Sequence, residues 1–163
     1  MPKQLAGMPV TSFASHNDAT PLFAPGTVVT TEDGSKAYKY IRVEDANLAV
    51  GDVVEYSDTS GYEVTKDRAG GASLGRVAAG VALGTITDAY YGWIQVAGLN
   101  TYTKSDGSVA VGDALVPHAS ADGQADTAAS GSTVANTEAQ VFGYALVADT
   151  TSACSAVMLR CAY

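Results

Sequence analysis

The chain predicts an all-β domain, a compact barrel or a sandwich, and three observations carry that reading. Short runs of β-branched and aromatic residues alternate in polarity, and turn residues punctuate them every few positions. A phrase is doubled: Ala49-Val50-Gly51-Asp52 returns as Ala110-Val111-Gly112-Asp113, each opening a β-like run. No stretch carries a sustained helical period.

The elements follow in order. Residues 1–25 hold Pro2, Pro9, Pro21 and Pro25, which disfavour helix interiors and central strands. They read as an extended N-terminal arm ahead of a single β domain at 26–163. The arm also carries Leu5, Phe13, Leu22 and Phe23, more apolar bulk than a disordered tail usually has. It therefore reads as lying on a surface, its own domain's or a neighbour's, with a flexible terminus as the alternative. Thr27-Val28-Val29-Thr30-Thr31 predicts a strand, Asp33-Gly34 a turn, and Ala37 to Val43 the returning strand. There Tyr38 and Tyr40 share one face and Ile41 and Val43 the other. Residues 45–49 are short enough for one helical turn at most.

Gly51-Asp52 reads as a tight corner, with Gly supplying a positive φ and Asp bonding the backbone that follows. Val53-Val54-Glu55-Tyr56 and Tyr62-Glu63-Val64-Thr65 flank Asp58-Thr59-Ser60-Gly61 as a hairpin. Residues 69–75 are a Gly-rich connection. Strands are predicted at 77–86 and at 90–98, where Ile94 and Val96 oppose Trp93 and Gln95. A second corner, Gly112-Asp113, leads into Ala114-Leu115-Val116. A turn at Ala121-Asp122-Gly123 and a polar loop at 126–137 follow, and the last strands fall at 140–147 and 156–162. Gly80-Val81-Ala82-Leu83 and Gly143-Tyr144-Ala145-Leu146 stand at similar distances after the two corners. The spacing suggests a duplicated unit of roughly 60 residues, covering about 45–104 and 106–163.

Composition excludes several functions. Nine Lys and Arg against 17 Asp and Glu give a net charge of −8, and no basic cluster occurs, which argues against nucleic acid as a partner. No apolar run approaches the ~18 residues of a membrane span, and the N-terminus has no secretory signal pattern. Cys154 and Cys161 form neither a disulfide framework nor a metal motif and read as small buried hydrophobes. The two histidines, His16 and His118, make no triad, no His-Glu-x-x-His is present, and Asp58, Asp106 and Asp122 read as turn residues. The chain predicts no catalytic residue, no metal and no cofactor. Tyr90, Tyr91 and Trp93 offer the best aromatic surface; they read as core or subunit interface, with glycan stacking as the alternative.

The phrase Gly84-Thr-Ile-Thr-Asp-Ala-Tyr-Tyr-Gly-Trp-Ile-Gln-Val-Ala-Gly98, the Ala-Val-Gly-Asp corners and the Gly-x-Ala-Leu phrases together resemble tailed-bacteriophage capsid decoration (cement) and head-fibre-base proteins. The resemblance covers roughly residues 45–162, and the Pro-rich start is similar to the arms such proteins lay across a shell. It implies a non-enzymatic virion protein on the capsid exterior, made in the host cytoplasm. The implied partners are the major capsid protein and the chain itself, with a trimer favoured. Leu5, Phe13, Leu22 and Phe23 would touch the capsid or a neighbour. The chain has no fibre-forming extension, which favours cement over a host-recognition fibre. A glycan- or receptor-binding β module is the alternative.

Overall fold

The computed structural model describes residues 4–5, 8–67, 77–128, 140–149, 152–154 and 156–161. Two very short strands, β1 (Gln4–Leu5) and β2 (Met8–Pro9), form a hairpin, and a 3-10 turn at Val10–Ser15 follows. Next come β3 (Val28–Thr30), β4 (Ala37–Val43), β5 (Val53–Tyr56), β6 (Glu63–Thr65), β7 (Ala78–Ala82) and β8 (Tyr91–Asn100). The second half contributes β9 (Thr103–Lys104), β10 (Ala114–Pro117), β11 (Ala125–Thr127), β12 (Gly143–Ala145), β13 (Ala153–Cys154) and β14 (Val157–Arg160).

The first half closes on itself. Strand β8 pairs with β7, β7 with β5, β5 with β6, β6 with β4 in parallel, and β4 again with β8, a closed barrel of five strands. Closure removes the free edges that an open sheet of this size would present. Strand β14 then pairs with the far end of β8 and carries the second half's ladder through β12, β10 and β11.

The second half repeats the path of the first. Arg42 pairs with Tyr91 and Lys104 with Ala153, each in antiparallel register. The parallel pairing of Val43 with Val64 has its counterpart in the parallel bridge of Ser105 with Ala125. Gly51 N–H donates to Ala82 O at 2.9 Å and Gly112 N–H to Ala145 O at 2.8 Å. Positive φ recurs as well: +68° at Asp45 and +91° at Gly107, and +63° at Ala89 and +67° at Ser152. The correspondence includes β4 and β9, ahead of the doubled phrase itself.

One apolar cluster runs through both halves, joining Ile41, Val54 and Ile94 to Leu115, Phe142 and Leu159. The alternation expected in β4 and β8 is the alternation found. Ile41, Val43, Ile94 and Val96 enter this cluster, while Tyr38, Tyr40 and Trp93 form a separate aromatic cluster on the opposite face. Burying each such side chain contributes roughly 1.5–3 kcal/mol.

Candidate functional site

The N-terminal segment and the aromatic face of the barrel form one construction. It is not simply extended. Its 3-10 turn places Phe13 against Tyr38 and Trp93, ring centroids 4.8 Å apart in both pairs, and Phe23 stands edge-on to Tyr40 and Trp93 at 5.2 and 5.3 Å. Between them, Asp18 joins the sheet: its N–H and carbonyl exchange hydrogen bonds with Tyr91 at 2.9 Å. The Asp18 carboxylate accepts from Tyr40 Oη at 2.7 Å and meets His16 Nδ1 at 2.9 Å. Asn17 accepts from Thr87 N–H at 2.8 Å. Gly92 has to be glycine here, because a Cβ would lie 2.8 Å from the His16 carbonyl and 2.6 Å from Ile86. The Tyr-Gly-Trp phrase therefore serves as the seat of the arm.

This geometry sorts the expected contact residues. Phe13 is 2% exposed and Phe23 half-buried, both committed to their own barrel, because an exposed aromatic face on β4 and β8 costs more than ordering the segment over it. Leu22 is 63% exposed. The Leu5 side chain lies outside the described residues. Trp93 is 1% exposed beneath the two phenylalanines, so it presents no ring for a sugar. Tyr90 packs on the main core and Tyr91 on the aromatic cluster, both partly buried. The Gly-rich connection expected at 69–75 lies outside the described residues, as does most of the loop expected at 126–137, whose first residues form β11.

The two corners are β-turns with Gly at φ +82° (Gly51) and +89° (Gly112). Asp fixes each one, but by reaching backward: Asp52 Oδ2 accepts from Ala49 N–H and Asp113 Oδ2 from Ala110 N–H, both at 2.8 Å. The reason is geometric, since the turn already brings the alanine N–H beside the carboxylate. Asp52 also ion-pairs with Lys66 at 2.9 Å and with Lys104, so it ties the first half to the start of the second. Sequence reading missed both lysines, which no spacing rule links to Asp52. It missed Lys39 too, a buried ammonium inside the barrel that donates to Tyr56 Oη at 2.9 Å.

Other ionisable groups are similarly engaged. Burial pushes the Tyr40 phenol up to about 12, and nearby Asp18 pushes the same way. Burial raises Tyr38 and Cys154 and takes the Cys161 thiol up to about 12; neither cysteine is in a disulfide. They sit in different strands or strand ends, Cys154 in β13 and Cys161 just past β14. Asp106, His118 and Asp126 bring potential ligand atoms within 4.8 Å of one another. Yet His118 Nδ1 accepts from Ser120 N–H at 3.0 Å and Ala121 N–H at 2.8 Å. The neutral ring then carries its proton on Nε2, which offers a donor and no lone pair to a cation. Those three residues fit a turn cap better than a metal centre. A cleft of about 230 Å³ lies between the arm and β8, with Lys36, Tyr38 and Tyr102 on its wall. Its amides, Gln95 and Asn100, are bonded to each other and to the backbone. No described helix is long and apolar enough to cross a membrane.

No family model matches the chain, and no curated protein does. Among solved structures, the chain is similar to the head fibre gp8.5 N base of bacteriophage phi29. The TM-score is 0.49 and the identity 18%, over 78% of this chain and 98% of that one. At this level of likeness no role is taken from it.

Proposed function

We propose that the chain is a non-enzymatic structural protein of a tailed-phage virion. It acts on the capsid exterior as a decoration protein, with the major capsid protein and further copies of itself, as a trimer, for partners. The observation that carries the reading is the place of the phrase on which the resemblance rests. Tyr91–Asn100 is the strand that pairs with β4, β7 and β14, and its Gly92 and Trp93 seat the arm. The residues on which the resemblance rests thus build the scaffold and seat its arm, as a shell-binding module requires. The engaged state of the titratable groups described above also favours a structural role over catalysis.

The chemistry suits the task. A protein that binds only an assembled shell stabilises it by mass action, and many weak contacts around a lattice multiply. Phe13 and Phe23 hold the arm in place, and exposed Leu22 is left to meet the capsid or a neighbour; Leu5 is proposed for the same role from the sequence alone. Co-sedimentation with expanded heads of the phage that encodes the chain tests the proposal. Saturable binding of the wild type and reduced occupancy for Leu22→Asp are expected. Wild-type protein that stays in the supernatant would sink the virion reading; undiminished occupancy for Leu22→Asp would remove Leu22 from the interface.

A further inference from the structure

One sheet position is covered in the first half and bare in the second. In the first half, Tyr38, Gln95 and Val81 form a cross-strand row on β4, β8 and β7. All three are buried, at 4%, 2% and 0% exposure, and Phe13 packs against Tyr38 at the end of the row. The corresponding row in the second half is Leu99, Met158 and Tyr144, on β8, β14 and β12. These are 38%, 38% and 41% exposed. Directly paired residues point to the same side of a sheet, so the three side chains form one continuous outward stripe. Leu146 and Val147, also exposed, continue the chain from the end of β12, and exposed Val111 belongs to the turn whose Gly112 bonds Ala145. Six of the exposed large hydrophobic side chains among the described residues thus gather around one strand end, where scattered ones would need no explanation.

We infer that this stripe seats a second copy of the chain. Two features of the molecule select that occupant. The first is the first half itself, where the same row is buried by this very chain: Phe13 of the arm covers Tyr38, and Val81 packs into the main apolar cluster. The second is charge. The chain carries −8, so copies repel through most of their surface. The outward positions of β12 and β14 carry Tyr144, Met158 and Arg160, with no carboxylate among them. Like-charged copies meet at least cost there, and the apolar stripe supplies the attraction. The inference deepens the self-association part of the proposed function and rests on it for its biological setting only.

Sedimentation velocity on the purified full chain, with no particle present, tests it independently of capsid binding. The wild type is expected to sediment as an oligomer that dissociates on dilution. Met158→Lys is expected to weaken self-association on the order of tenfold or more, since a buried ammonium would lack a partner. Unchanged emission from Trp93 will show that the variant is folded, and Tyr144→Lys repeats the test if it is not. A wild type that is monomeric at every concentration overturns the inference. So does a folded Met158→Lys that keeps the wild-type distribution.

Discussion

Asp52 and Asp113 hold the same place in two copies of one turn, each carboxylate accepting the N–H of the alanine three residues before it at 2.8 Å. Their surroundings differ. The Asp52 side chain is 2% exposed and is bonded to Lys66 and Lys104, while the Asp113 position is only partly buried. Removing the charge of Asp52 leaves two lysines facing a buried amide. Asp52→Asn should therefore destabilise the chain by about 2–4 kcal/mol, below the range for fully buried pairs because both lysines reach solvent. Asp113→Asn keeps an acceptor for the Ala110 N–H and should cost no more than about 0.5 kcal/mol, since Asn caps about as well as Asp. Urea unfolding of the two variants side by side checks the order, and equal losses would refute the junction role of Asp52.

The paired glycines separate conformation from space. Both have positive φ, but a Cβ on Gly112 meets nothing within 4 Å, whereas one on Gly51 would lie 2.5 Å from the Tyr102 ring. Gly112→Ala should cost about 1–2 kcal/mol from backbone strain alone. Gly51→Ala should cost more, and Tyr102→Ala in the same chain should recover part of the excess. A double-mutant cycle by chemical denaturation measures that coupling; a coupling near zero would show that Tyr102 simply swings aside.

The strands of the first barrel were legible because their side chains obey period two. Tyr38 and Tyr40 against Ile41 and Val43 is enough to orient β4, and Trp93 against Ile94 orients β8. The corners were legible because positive φ selects Gly. Strands β9, β11 and β13 were not, since two or three residues such as Thr103–Lys104 are too short to show a period. The arm's fold was also hidden. Pro21 and Pro25 announce a break in regular structure, but nothing local says that Phe13 will find Trp93, a contact between residues far apart in the chain. The same limit concealed the ion pairs of Asp52, which join three separate elements.

Trp93 is the chain's one tryptophan, and it lies under Phe13 and Phe23. Its emission therefore reports whether the arm is seated. Phe13→Ala removes a buried ring, a loss of about 3–5 kcal/mol for a core position, and here the loss falls on one docked segment. The arm should detach before the barrel unfolds. Fluorescence should shift to the red, and limited proteolysis should cut before residue 25, with the far-ultraviolet circular dichroism nearly unchanged. An unshifted emission maximum in Phe13→Ala would mean that Phe23 alone keeps the cover closed.

Stability should fall in alkali, and Tyr40 identifies part of the cause. Burial raises its phenol from 10.0 to about 12, and Asp18, which accepts its hydroxyl at 2.7 Å, adds to the shift; Leu22 N–H, donating at 3.2 Å, opposes it. Burial likewise raises the Cys161 thiol from 9.0 to about 12. An acid whose folded pKa lies above its unfolded value keeps its proton longer in the folded chain. Its contribution is intact below the unfolded value and disappears as pH climbs to the folded one. For Cys161 that window opens near 9 and for Tyr40 near 10, and both close near 12. Within it each group costs about 1.4 kcal/mol per pH unit. Urea midpoints should thus be level below about pH 8.5 and fall with increasing slope above it. Tyr40→Phe gives up the bond to Asp18, so it begins less stable, but above pH 10 its decline should be shallower than the wild type's by about one proton. Parallel curves for the two proteins would show that Tyr40 does not govern the alkaline limb, and the seat of the arm would then be insensitive to pH.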